Sequence, residues 1–129
     1  MATLMNKRIF IVDDDLFWTS ILNRMLTNLG FTNIMKFSNG KDCIENLHLN
    51  PGLILLDYQL EDMDGLEVLK KVKDYFPGIE VIMCTANEDL NVAVNAIKHG
   101  SFDYLLKSNT NIKYLASIIE DLSLNTLSN

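Results

Sequence analysis

Basic residues are scarce in this chain. Eleven Lys and Arg stand against seventeen Asp and Glu over 129 residues, a formal net charge of −6. No run of like charge is long enough to form a tail and no basic patch is present. Direct nucleic-acid binding is therefore not expected, because phosphate neutralisation supplies most of that affinity. Cysteine is scarcer still. Cys43 and Cys84 are too few and too widely spaced for a zinc motif or a disulfide framework, and both read as reduced thiols. Long apolar runs are missing as well: nothing approaches a membrane span, and the N-terminus lacks the uninterrupted apolar core of a signal peptide. A cytoplasmic protein with no membrane partner is the expectation. Linkers, low-complexity tracts and internal repeats are absent too, which leaves one domain over 1–129, with its core at about 7–122 and a loose end at 123–129.

What is present has a clear order. At 48% hydrophobic and 22% charged, the chain has the composition of an ordinary folded domain and the length for a real core. Pro51-Gly52 opens a run of four apolar residues, Leu53 to Leu56, which Asp57 closes. An unbroken apolar run between polar boundaries is the pattern of a strand buried on both faces, as in the middle of a parallel sheet. Ile9 to Val12 repeats the layout and runs straight into Asp13, Asp14 and Asp15.

Between these strands the period changes to that of helices. Trp18, Ile21, Leu22, Met25 and Leu29 give a helix over about 16–29 an apolar face, and Gly30 ends it. A short strand over 32–37, a turn at Ser38-Asn39-Gly40 and a helix over 41–48, with Ile44 and Leu47 inward, lead to the central strand. Beyond Asp57 a polar loop precedes a helix starting near Asp64-Gly65, with Leu66, Leu69, Val72 and Phe76 on one side and Pro77-Gly78 as its stop. A fourth strand over 79–84 ends in Thr85-Ala86-Asn87. A helix over 88–99 follows, with Leu90, Ala93, Val94 and Ile97 inward and Gly100 at its close. Phe102 to Leu106 forms a fifth strand ending in Lys107, and a last helix runs from about Thr110 to Leu122 with Ile112, Leu115, Ile119 and Leu122 inward. Strand and helix alternate five times, and the right-handed crossover rule turns that into a doubly wound α/β sheet.

Ligands bind at the carboxyl ends of the strands in such sheets. The residues delivered there are Asp13 and Asp14 after the first strand, Asp57 after the third, Thr85 after the fourth and Lys107 after the fifth. Clustered carboxylates repel one another unless a cation lies among them. An oxygen-only set of this kind suits Mg²⁺, which commonly takes one or two carboxylates plus phosphate oxygens. A phosphoryl group on Asp57 would find the metal and Lys107 to neutralise its oxygens and the Thr85 hydroxyl as a hydrogen-bond donor.

With Asp13-Asp14, Asp57, Met63-Asp64-Gly65, Thr85-Ala86, and Tyr104 three residues before Lys107, the sequence resembles the receiver domain of two-component response regulators, in its single-domain, chemotaxis-regulator-like form. The resemblance covers essentially the whole chain. It implies a flavodoxin-like fold, five parallel strands in the order 2-1-3-4-5 with five helices. It also implies a phosphorylation-activated switch rather than a general enzyme: Asp57 is the phosphoacceptor, served by a histidine kinase or histidine phosphotransfer protein. Asp14, Asp57 and the backbone carbonyl of Gln59 would bind Mg²⁺, with Asp13 acting through water. Lys107 would pair with the phosphoryl group, while Thr85 and Tyr104 would carry the switch to a downstream protein through the surface of the fourth helix, fifth strand and fifth helix. Gln59 and Asn87 flank the route of the water that hydrolyses the acyl phosphate, and so would tune its lifetime.

Two features depart from the family pattern. Ser108 stands where a proline with a cis peptide commonly follows the lysine, so the loop is either trans or strained. Leu60-Glu61 replaces a common Met-Pro, which adds negative charge beside an acidic site. These motivate one alternative, a receiver-fold interaction module that needs no phosphorylation. A phosphatase of the haloacid dehalogenase type is another, but it usually needs a second Asp where Gln59 stands, and a cap domain. Singly, most of these residues have plainer roles: Asp15 as a helix cap, Tyr104 and Trp18 as packing, His48 and His99 as cations near helix C-termini. A regulator cut after the last helix would read the same way.

Overall fold

The computed structural model describes residues 7–86 and 88–128, the last four of these by backbone alone. Five strands, β1 (Arg8–Val12), β2 (Ile34–Phe37), β3 (Pro51–Asp57), β4 (Glu80–Thr85) and β5 (Asp103–Leu106), form one sheet in the order β2-β1-β3-β4-β5. Every pairing is parallel. The helices between and after them are α1 (Leu16–Asn28), α2 (Gly40–Glu45), α3 (Gly65–Tyr75), α4 (Leu90–Lys98) and α5 (Ile112–Ser128), with short 3₁₀ turns at Leu47–Leu49 and Lys107–Asn109.

The unbroken apolar runs are explained by burial on both sheet faces. Successive side chains of a strand point to opposite faces. Ile9, Ile11, Leu53, Leu55, Ile82 and Cys84 pack with Leu22 and Leu26 of α1 and Leu115, Ile119 and Leu122 of α5. Their alternates, Phe10, Val12, Ile54, Leu56, Val81 and Met83, pack with Cys43, Val68, Leu69, Val72 and Ala96 from α2, α3 and α4. Burying a side chain of this size contributes about 1.5–3 kcal/mol, so the central strand's four fully buried residues are a main anchor of the fold. Shifting β3 by one residue would exchange the two faces, which fixes where Asp57 emerges.

Local signals set the helix ends. The Asp15 carboxylate accepts from the backbone N–H groups of Phe17 and Trp18 and so caps α1, as expected; Asn39, Asp64 and Asp89 cap α2, α3 and α4 in the same way. Gly30 and Gly100 follow α1 and α4 at φ of 106° and 108°, a region that only glycine enters without strain.

Several inward assignments need correction. Ile21 and Phe76 are exposed, while Leu26 and Val68 take core positions. In α4 the buried residues are Val92, Ala93 and Ala96, whereas Leu90, Val94 and Ile97 are 70%, 53% and 47% exposed. This helix carries two apolar stripes at helical spacing, and the smaller side chains let it lie close to the sheet. Periodicity alone does not choose between the stripes. In α5, Ile112 is at the exposed margin, and the helix continues to Ser128 instead of loosening after Leu122. No Gly or Pro occurs in that stretch to stop it. The 41–48 helix is shorter than expected, α2 giving way to the 3₁₀ turn at Leu47–Leu49.

Candidate functional site

Strand register brings the acidic residues together. Val12 pairs with Leu56, which sets Asp13 beside Asp57, and Asp57 in turn pairs with Cys84. Carboxylate oxygens of Asp13, Asp14 and Asp57 all lie within 4.8 Å of one another. Asp13 and Asp57 are buried, at 2% and 6% exposure, while Asp14 is the open side of the group. Asp13 is fixed by its own backbone: its N–H donates to the Phe37 carbonyl, and its Oδ1 accepts from the Asp15 N–H at 2.9 Å.

Lys107 reaches across from the end of β5. Its Nζ lies 2.7 Å from Asp13 Oδ2 and 3.6 Å from Asp57 Oδ1. The short contact with Asp13 gives this buried Oδ2 a charged partner. The peptide after Lys107 is trans, as is every peptide among the described residues. The seryl peptide at Ser108 therefore does not keep the ammonium from the site.

The charges at this edge are strongly coupled. Burial, then the Asp13 charge, push the Asp57 carboxyl from 3.8 up to about 7, against the opposing effects of Lys107 and of the Gln59 N–H, which donates to it. Burial pulls the Lys107 ammonium down, but contact with Asp13 and the Asp57 charge outweigh it and hold it above its ordinary value. One ammonium does not neutralise three carboxylates. With oxygen donors only, two of them buried and the Asp14 side open, the group fits a hard divalent cation such as Mg²⁺. Cys84, beneath Asp57, is fully buried with its thiol pushed up by burial, and Cys43 is likewise pushed up to about 12; neither thiol is poised to react.

Thr85 is buried at the end of β4, in register with Leu106 of β5. Tyr104 is half-buried. It lines a groove of about 600 Å³ together with Leu90, Ala93, Val94 and Ile97 of α4, and a smaller one of about 320 Å³ with Leu106, Asn109 and Tyr114. Gln59 is exposed and forms an isolated bridge with Asp64. Asn87 lies outside the described residues.

Three supporting residues were not singled out for these roles by sequence. Asp62 accepts from the backbone N–H groups of Gly40 and Lys41, both at 2.9 Å, and so ties the loop after β3 to the start of α2. Slight burial opposes ionisation there, but these donors outweigh it and hold the Asp62 carboxyl below its ordinary range. Gly65 donates to the Tyr58 carbonyl at 2.7 Å, and a Cβ there would lie 2.3 Å from the Asp57 carbonyl oxygen. Trp18 places its ring under Lys107, 5.8 Å from Nζ to the ring centroid. An Asp in a polar loop carries no signal of its partner. The Asp-Gly pair was legible only as part of a motif.

A parallel sheet that gathers three carboxylates and a lysine at its carboxyl edge defines a domain whose site could hold a cation beside an aspartate. The family model of the response regulator receiver domain matches residues 9–120, and the chain belongs to that family. The DNA-binding transcriptional regulator NtrC of Proteus hauseri is 39% identical over 100 residues, covering 77% of this chain and 21% of the relative. The luminescence regulatory protein LuxO of Vibrio campbellii is 41% identical over 98 residues, 75% of this chain and 21% of that one. The chain thus spans about a fifth of the length of these curated relatives. Among solved structures, a CheY-like response regulator receiver domain protein from Methanospirillum hungatei JF-1 superposes with a TM-score of 0.82 at 28% identity, covering 95% of this chain and 98% of that one. The signal receiver domain of a putative Luxo repressor protein from Vibrio parahaemolyticus does so with a TM-score of 0.81 at 27% identity, covering 95% and 97%. Both share the doubly wound parallel fold expected from the sequence. No helix among the described residues is long and apolar enough to cross a membrane.

Proposed function

We propose that this receiver domain is a phosphorylation-controlled switch in which Asp57 is the phosphoacceptor. The observation that carries the reading is the grouping of Asp13, Asp14 and Asp57 around one edge, with the Lys107 ammonium at 2.7 and 3.6 Å from two of them. The donor would be a phosphohistidine of a kinase or phosphotransfer protein. An Asp57 carboxylate oxygen attacks phosphorus in line, the P–O bond forms as the P–N bond breaks, and the leaving imidazole takes up a proton. Mg²⁺ held by Asp14, Asp57 and the Gln59 carbonyl, with Asp13 through water, would supply charge neutralisation for the phosphoryl oxygens.

The chain's own residues do the positioning. Packing of β3 on both faces fixes the Asp57 backbone, and burial keeps bulk water from the carboxylate. Lys107 moves from its Asp13 contact to pair with the phosphoryl group, and Thr85 donates its hydroxyl from the neighbouring strand. Gln59 and Asn87 govern the approach of hydrolytic water. The output passes through Tyr104 to α4, β5 and α5, where Leu90, Val94 and Ile97 stand exposed beside the apolar groove. A downstream protein reads that surface through a two-state equilibrium that the phosphoryl group biases. The site lies in a cytoplasmic protein in this reading. The family match leaves the phosphatase alternative without support.

The test is intact mass after incubation with a small acyl-phosphate donor. One added phosphoryl group is expected, dependent on Mg²⁺ and lost in Asp57→Asn. No gain of mass and no Mg²⁺ binding would favour a module that works without phosphorylation.

A further inference from the structure

The Lys107 ammonium has two kinds of neighbour, and only one of them is acidic. A lysine stem is flexible, and its ammonium can occupy many positions around one backbone point. The turn Lys107–Asn109 that carries it closes loosely: the Thr110 N–H reaches the Lys107 carbonyl at a long 3.4 Å, with the Thr110 hydroxyl donating to the Leu106 carbonyl at 2.8 Å. Asp13 and Asp57 draw the ammonium inward. The ammonium also lies over the Trp18 ring, 5.8 Å from Nζ to its centroid.

That ring is itself rigidly held. Its backbone N–H is capped by Asp15, its side chain is 6% exposed, and it belongs to the core cluster that includes Leu22, Leu105 and Leu115. A cation near the face of an indole is attracted by the ring quadrupole, more strongly where water is excluded. Lys107 is itself only 14% exposed. We propose that Trp18 is a positioning residue for Lys107: the indole face fixes where the ammonium rests between Asp13 and Asp57, a task the loosely tied turn does not perform. The ring is the fixed partner and the ammonium the mobile one. The consequence for phosphorylation rests on the function proposed above, whereas the contact itself does not.

The contact is tested first without phosphorylation. A double-mutant cycle of Trp18→Leu and Lys107→Met, read by denaturant unfolding in EDTA, should show the two changes coupled by about threefold or more in the unfolding equilibrium. Strict additivity would overturn the proposal. The phosphorylation rate from acetyl phosphate with Mg²⁺ should fall about three- to tenfold in Trp18→Leu and stay within about twofold of the natural chain in Trp18→Phe, which keeps an aromatic face. Equal losses in both would reduce Trp18 to core packing and overturn it. Should Trp18→Leu fail to fold, emission decides, because the chain has a single Trp. Lys107→Met should displace the emission of the metal-free protein and Lys107→Arg should restore it. Three identical spectra would overturn the proposal. A natural chain that accepts no phosphoryl group sinks the functional reading while leaving the coupling result standing.

Discussion

Replacing Asp57 by Asn should make the metal-free protein more stable at alkaline pH. Burial and the Asp13 charge carry the Asp57 carboxyl from 3.8 to about 7. At about 1.36 kcal/mol per pH unit, holding it ionised above pH 7 costs the folded state up to about 4 kcal/mol. The group opens toward solvent on the Asp14 side and shares its repulsion with Asp13, so screening reduces the penalty to about half, or roughly 2 kcal/mol. With an unfolding entropy of about 2.1 cal/mol/K per residue over 129 residues, that is a rise in Tm of about 7 °C for Asp57→Asn at pH 8. The sign depends on pH. Between 4 and 7 the folded natural chain keeps a proton that the unfolded chain releases, so its stability relative to the variant climbs as pH falls. Below 3.8 both states are protonated and the advantage of the variant vanishes. Thermal melts followed by circular dichroism, in EDTA at pH 8, 6 and 4, measure the gap directly. Adding Mg²⁺ at pH 8 should narrow it by stabilising the natural chain. Equal Tm values at pH 8, or a gap that persists undiminished at pH 4, would refute the reasoning.

Other expectations follow from single contacts. Gly65→Ala places a methyl group 2.3 Å from the Asp57 carbonyl oxygen; it should lower stability by about 1–3 kcal/mol and slow phosphorylation, seen by denaturant unfolding and intact mass. Asp62→Ala removes the two bonds to the start of α2 and should cost about 0.5–1 kcal/mol while weakening Mg²⁺ affinity, measured by titration calorimetry. Lys107→Met leaves Asp57 facing Asp13 without its cation, so the pH midpoint for phosphorylation should move upward in a rate profile. Val94→Asp, on the exposed stripe of α4, should change stability by no more than about 0.5 kcal/mol and leave phosphorylation intact while abolishing capture of a downstream protein.

The central part of this architecture was readable because two-sided burial leaves a strong mark. Runs such as Ile9 to Val12 and Leu53 to Leu56 have no other economical explanation, and their acidic ends then fall together at one edge. Sheet order and the grouping of Asp13, Asp14, Asp57 and Lys107 are as expected from the sequence. What was not readable depended on choices between equivalent surfaces. Leu90, Val94 and Ile97 have the spacing and hydrophobicity of a core stripe, yet Ala93 and Ala96 pack closer to the sheet. Only the tertiary distance decides. The partners of Asp62 and of Trp18 lie 21 and 22 or 89 residues away in sequence, beyond the reach of any local pattern.

The close approach of Gly65 to the Asp57 backbone divides the molecule mechanically. No side chain intervenes between the end of β3 and the start of α3, and Asp62 fastens the same loop to α2. That side of the site is tightly braced. In the proposed switch, a charge added at Asp57 would find little room to yield there, whereas α4 rests on the sheet through the small side chains Ala93 and Ala96 beside an open groove. On the proposed reading, the hard stop at Gly65 would leave α4 as the bank free to give.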